Sequence, residues 1–417
     1  MNTPIRPEIL APAGDEERLR AALQFGADAV YVSGRSYGMR MGCANFDRDG
    51  LQRAVAQTHA AGKKLYVTVN ILPRNRDLEA LPAYFSYLDE IGTDALIISD
   101  LGTMELAKQY APRCALHVST QFGVVNHATA AALYRLGASR VVLARELSME
   151  EIRQIRRHTP PELELEAFVH GAICMSYSGR CVISNYLADR DANHGECAQP
   201  CRWKYRIVEE TRPDLPLTLE QEEEGSYLFN ANDMNMIAHV AELADAGVAS
   251  FKIEGRAKSA YYTAVTANAY RLAVDGYVSS GYAPDYVPEP WIQQEVLKIS
   301  HRPYGTGFYY GMPAQHLQQG GYIRSYELAA VVEDWCDGWL RVSQRNRFFL
   351  GETVDVLAPG AKPFTFTIKS MLNEHKESIA VAPHATMTVY IPLDHPLPKG
   401  TLLRVDKRQR ENNSDHE

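Results

Sequence analysis

The sequence predicts an α/β fold: a TIM-like (β/α)8 barrel carrying a cysteine-bearing insertion, followed by a small C-terminal antiparallel β-barrel domain. Three observations predict it. Over the first 260 residues a helix-like stretch repeatedly ends in glycine, and a short β-rich run follows about three residues later, at Gly26, Gly92, Gly137 and Gly247. The β-rich runs are almost continuously apolar, as strands buried on both faces by flanking helices must be. From about Tyr322 the texture changes to short β-branched runs separated by turns, the pattern of an antiparallel module.

In chain order, the strands are expected at Glu8–Ala11, Ala29–Val32, Leu65–Asn70, Ala95–Ser99, Ala115–Ser119, Arg140–Leu143, Leu165–Val169 and Ser250–Ile253. Helical patterns lie between them, among them Glu16–Gln24, Leu51–Ala61, Ala128–Leu136 and Ser148–Arg157. Ser148 and Glu151 form a capping box, in which each side chain satisfies a free backbone N–H at the helix start. An open doubly wound sheet is disfavoured, because no Gly-x-Gly-x-x-Gly turn follows the first strand. The barrel domain is expected over 1–282, with its insertion at about 171–230. A linker and helical segment should occupy 283–321, the β-domain 322–407, and a disordered tail 408–417.

The chain is ordinary in composition for a globular protein, with 46% hydrophobic and 23% charged residues and a net charge of −8. No apolar run reaches the length of a membrane helix, and the N-terminus carries no export signal, so a cytoplasmic protein without membrane association is expected. A net negative charge argues against a dedicated polyanion binder. Basic groups such as Arg153, Arg156 and Arg157, or Lys407, Arg408 and Arg410, read first as solvated faces.

Barrel chemistry gathers where strands run out into loops. Those positions hold Asn70, His117, Ser119, Gln121, Arg145, His170, Glu254 and Arg256, with Asp100 and Glu146 beside them. His170 is four residues before a cysteine and could serve as an acid/base, or could simply hydrogen-bond a backbone carbonyl. Arg40, Arg145 and Arg256 suit an anionic substrate, because guanidinium groups grip carboxylates or phosphates in pairs of hydrogen bonds. Gly34-Arg-Ser-Tyr-Gly38 fits the Gly-x-Ser-x-Gly pattern, yet loop rather than helix follows it, so it is not read as a nucleophile elbow. No His-Glu-x-x-His occurs.

Four of the seven cysteines, Cys174, Cys181, Cys197 and Cys201, fall within 28 residues with the spacing Cys-x6-Cys-x15-Cys-x3-Cys. Thiolates converging in this way suit Zn²⁺ or an iron–sulfur cluster. Gaps of six and three favour the cluster over zinc, whose paired ligands usually stand two residues apart. Disulfides and inert buried thiols are the weaker alternatives.

The segments PEILAPAG, GADAVYVSG, HVSTQ, FVHGAICMSYSGRC, CRW and FKIEGR, in that order, resemble the peptidase U32 family over about residues 6 to 275. Within it the chain is most similar to the prephenate-dependent tRNA uridine 5-hydroxylation branch. The resemblance implies O2-independent hydroxylation of the wobble uridine at C5, prephenate as a required metabolite, and a 4Fe–4S cluster on Cys174, Cys181, Cys197 and Cys201. Some relatives take their fourth ligand from a later segment, where Asn230-Ala-Asn-Asp233 here offers no thiol, so Cys201 must fill that place. A tRNA anticodon base would be received by aromatic or arginine planes, for which Tyr177 and Trp203 are candidates. The resemblance also leaves open an electron donor protein, a homo-oligomer or paralogous partner, another RNA base as target, and the collagenase-like proteolysis recorded in the family name.

Overall fold

The computed structural model describes residues 5–41, 43–205, 226–227, 231–313, 321–408 and 410. Eight strands form the barrel: β1 (Glu8–Pro12), β2 (Ala29–Val32), β3 (Lys64–Val69), β4 (Ala95–Ile98), β5 (Ala115–Val118), β6 (Arg140–Val142), β7 (Glu164–Ala172) and β8 (Val248–Ile253). Each pairs in parallel with the next, and β8 closes the ring by pairing with both β7 and β1. Helices α1 (Glu16–Gln24), α2 (Arg48–Ala60), α3 (Leu81–Glu90), α4 (Leu101–Tyr110), α5 (His127–Arg135), α6 (Met149–Arg157), α7 (Val240–Asp245) and α8 (Ala260–Ser279) surround it.

Local chemistry sets these boundaries. Asp15, Asp47, Asp100, Asn126, Ser148 and Ser259 each accept a hydrogen bond from a first-turn N–H of the helix they precede. Asp100 is thereby a helix cap and not a cavity residue. The repeated glycines 26, 92, 137 and 247 all take positive φ, which ends each helix and turns the chain into the next strand.

The two faces of the barrel wall differ in kind. Outward-facing Ile9, Val30, Leu65, Val67, Leu96 and Val141 pack under the helices in the main core. Inside, Leu10, Tyr31, Tyr66 and Ile97 make a small separate cluster, and beside it sit the ion-paired Glu8, Arg140, Glu166 and Lys252.

The insertion follows β7. The chain returns as the short strand Asp233–Asn235, which pairs antiparallel with β7 and parallel with Tyr304–Gly305. The expected insertion lies partly outside the described residues, at 206–225 and 228–230, as does most of the expected tail.

The C-terminal domain is a six-stranded antiparallel sheet over its own core. Its strands are β9 (Tyr326–Cys336), β10 (Trp339–Gln344), β11 (Thr353–Leu357), β12 (Phe364–Thr367), β13 (Thr388–Pro392) and β14 (Leu402–Asp406), in the order β12-β11-β14-β9-β10-β13. Arg404 joins this sheet to the segment after α8. Its buried guanidinium reaches Glu295 at 2.7 Å and Asp355 at 2.6 Å, and Lys298 bonds both carboxylates. No helix of the described residues is long and apolar enough to cross a membrane.

Candidate active site

A cavity of about 240 Å³ opens at the carboxyl ends of the barrel strands. Arg40, Asn70, Ser119, Gln121, Arg145, Glu254 and Arg256 line it, together with Cys174, Cys181, Cys197 and Cys201. Residues as far apart in sequence as 40 and 256 meet there because consecutive strands deliver their last side chains to one rim.

Glu254 is the only carboxylate among the described lining residues. It accepts from Arg40 Nη2 at 3.3 Å and from the Tyr31 hydroxyl at 3.3 Å. Burial opposes its ionisation, yet the guanidinium groups of Arg40, Arg145 and Arg256 outweigh that and hold it below the usual carboxylate range. Arg256 is buried, donates from Nη1 to Thr68 Oγ1 at 2.9 Å, and has an Nε with no partner. Burial depresses it, because a desolvated guanidinium is costly to keep charged. Arg145 donates to the Ala172 carbonyl and stands 5.0 Å above the Phe168 ring. Asn70 ties the loop after β2 to the wall, accepting from Met39 N and donating to Ser119 Oγ. Gly171, at the end of β7, has φ +104, and a Cβ there would meet the Glu254 carbonyl at 2.4 Å; only glycine allows the two strand ends to approach this closely.

The insertion lies over the rim and is bonded to the barrel loops. Met41 N donates to the Gly195 carbonyl, Leu72 N to the Asn193 carbonyl, and Arg180 Nε to the Gln121 carbonyl. Arg74 pairs with Asp191 at 2.7 Å. Glu146 accepts from the Ser178 hydroxyl at 2.9 Å, which fixes the turn after Cys174. Asn193 brackets Cys181 by bonding both its N–H and its carbonyl. Cys197 Sγ accepts from the Gln199 N–H at 3.4 Å. All four thiols are free of disulfides and partly buried. Burial pushes the Cys201 thiol up against the pull of Arg202, and the thiols of Cys174, Cys197 and Cys181 push the same way.

A single tetrahedral zinc ion needs its sulfurs about 4 Å apart, from Zn–S bonds of roughly 2.3 Å. Among the described residues no three His, Cys, Asp or Glu side chains are placed to hold one metal ion. The four thiols line one cavity and are soft donors, the kind that would hold an iron–sulfur group or zinc.

Several expected residues lie elsewhere. His117 is inside the barrel and outside the cavity lining, edge-on to Tyr66 with centroids 4.7 Å apart, and burial with Arg140 nearby keeps it neutral. His170 is caged by phenols: the Tyr304 hydroxyl lies 3.2 Å from Nε2 and that of Tyr270 3.4 Å from Nδ1. Burial depresses it to about 3, so it is a neutral structural ring. Among the described lining residues there is therefore no imidazole, and none stands beside Ser119. Tyr177 and Trp203 are 55% and 41% exposed and stand outside the cavity lining. After Gly38 the chain reaches no helix until Arg48, so the Gly-x-Ser-x-Gly stretch is a loop. The basic groups at 408 and 410 are occupied by Asp406, Glu352 and Glu327, and Arg156 by backbone carbonyls. Conversely, the lining includes Tyr31, Thr68, Phe168 and Lys252, side chains facing the barrel axis. The signal for Lys252 was a lysine inside Phe-Lys-Ile, a run otherwise buried on both faces.

The family model described as Peptidase family U32 matches residues 14–319, and that of the Peptidase family U32 C-terminal domain matches 324–404. Relatives include tRNA hydroxylation protein P of Escherichia coli, 35% identical over 94% of this chain and 95% of its own length. The tRNA hydroxylation protein P1 of Bacillus subtilis is 33% identical over 96% and 95%. A 23S rRNA 5-hydroxycytidine synthase of Escherichia coli is 37% identical over 66% of this chain and 40% of its own length.

Proposed function

This chain belongs to peptidase family U32, and from that premise we propose that it modifies RNA and does not cleave protein. Its reaction is O2-independent hydroxylation of the tRNA wobble uridine at C5, with prephenate as the small co-substrate and a 4Fe–4S cluster on Cys174, Cys181, Cys197 and Cys201. The observation that carries the reading is that four thiols and three arginines line one cavity with no histidine among its described lining residues. A peptidase with a Ser–His or Cys–His pair needs an imidazole, and the described lining residues offer none.

When bound, such a cluster would supply one-electron redox capacity beside the cavity. The chain's own residues do the rest. Arg40, Arg145 and Arg256 grip the metabolite's carboxylates, and the apolar faces of Tyr31 and Phe168 exclude water from beneath it. Removal of the C5 proton needs a base at the cavity, and a Glu254 carboxylate oxygen is the acceptor at hand. As Arg40 turns from Glu254 to the metabolite, the carboxylate loses a stabilising cation and becomes more basic. Cytidine is the second target considered, because of the 5-hydroxycytidine synthase relative.

Nucleoside analysis of tRNA from a strain lacking this gene tests the reading. The expected result is loss of 5-hydroxyuridine and its derivatives, restored by the wild-type gene but not by Cys181→Ser. Protein purified without air should be brown, with about four irons per chain. An unchanged nucleoside profile, or colourless protein with stoichiometric zinc, would overturn it.

A further inference from the structure

The feature of the cavity that nothing above assigns is the cation at its floor. On β8 the inward-facing residues, in order toward the rim, are Ser250, Lys252 and Glu254, because alternate side chains of a strand share one face. Lys252 lines the cavity with its side chain 6% exposed. Its Nζ donates to Glu166 at 2.8 Å and stands 4.7 Å from the Tyr31 ring centre and 5.5 Å from that of Phe168. An ammonium has three N–H donors, and among the described residues Glu166 is its only hydrogen-bond acceptor. Two donors remain, in a buried position where unmet donors are costly.

Lys252 and Arg140 hold Glu166 together, because Arg140 is shared among Glu166, Glu8 and Glu164, the last at 2.6 Å. Arg140 bonds Glu166 at 3.0 Å and Glu8 at 2.7 Å, and Glu8 also accepts from Tyr66 and Ser250. Arg140 thereby fixes one oxygen of the Glu166 carboxylate, and the other oxygen is the seat of Lys252. Above that seat, Arg40, Arg145 and Arg256 line the cavity with Glu254, the one carboxylate among its described lining residues.

We propose that Lys252 is a substrate-contacting residue, whose ammonium donates to an anionic oxygen of the small carboxylate co-substrate from below, and that Glu166 is its positioning residue. The proposal rests on the function proposed above. Arginines at the rim then hold one end of the ligand and the lysine the other, which fixes its depth relative to the thiols.

The test is calorimetric titration of prephenate into full-length protein purified without air, alongside steady-state KM values for prephenate and for tRNA. Lys252→Met keeps the length and removes the charge. Its affinity for prephenate should fall about 10- to 100-fold, the loss of a charged hydrogen bond, while the KM for tRNA stays within about twofold. Lys252→Arg should recover part of the loss. If Lys252→Met does not fold, Lys252→Met with Glu166→Gln leaves no unpaired carboxylate and should show the same affinity loss. A folded variant that binds prephenate as wild type does removes Lys252 from the site while leaving the hydroxylase reading intact. Wild type that binds prephenate but leaves uridine unmodified removes the hydroxylase reading, and Lys252 is then judged on binding alone. Wild type that binds no prephenate removes both.

Discussion

His170 shows what burial does to a residue that looks reactive. Phenols surround the ring, and it stays neutral far below its ordinary range, at about 3. The unfolded chain would take up a proton near pH 6.5 that the folded ring refuses. The stability from burying the neutral ring is therefore complete above about pH 6.5 and is lost progressively as pH falls from there toward 3. Between pH 7 and pH 5 the wild type should lose about 2 kcal/mol more unfolding free energy than His170→Gln. Denaturant melts at the two pH values check this; parallel losses in both proteins would mean that another group is responsible. Other single residues misled for a related reason. Tyr177 and Ser178 are adjacent in a loop without periodicity, so sequence alone could not say that Ser178 turns inward to Glu146 and Tyr177 outward.

At the scale of elements, the strands were legible because both faces are buried, and a continuous apolar run reports that directly. Their polar inner positions were harder to read. In Leu-Glu-Leu-Glu-Ala-Phe a strand and an exposed helix edge look alike, and only closure of the ring puts Glu166 on the axis. The pairing of β7 with β8 shifts register between Lys252 and Ile253, opposite His170. Such an irregularity re-aims the side chains beyond it, so a histidine at a strand end met tyrosines and not the cavity. Helix starts were read well where the cap is local. Ser148 and Glu151 make both bonds of the expected box, so Ser148→Ala should cost about 1 kcal/mol, whereas Ser148→Asp should cost little. A denaturation midpoint unchanged in the alanine variant would show that α6 is held by packing alone. The cysteine quartet was legible by count and spacing, since four thiols in 28 residues have few uses. The loops that carry it to the rim leave no such trace.

At the scale of the molecule, the change of texture near Tyr322 marked the second domain, but not the contact that joins it to the barrel. That contact depends on Arg404, Glu295, Asp355 and Lys298, charged residues that are usually exposed and give no sign of burial in sequence. Removing one partner of a buried ionic cluster leaves the others uncompensated, at a cost of about 3–5 kcal/mol. Arg404→Ala should therefore weaken the C-terminal domain selectively and split a single calorimetric unfolding transition into two. A single transition shifted as a whole would argue that the apolar contacts of Leu357 and Leu402 with the barrel core suffice. The plugged lower half of the barrel has a kinetic corollary. Tyr66, Arg140 and their neighbours stopper that end, so among the described residues the chamber is closed below and reached from the rim. Under the two-substrate reading, the smaller molecule has to be seated before a nucleobase blocks the entrance. Turnover must then follow a compulsory sequence, with the RNA departing before the spent metabolite can leave.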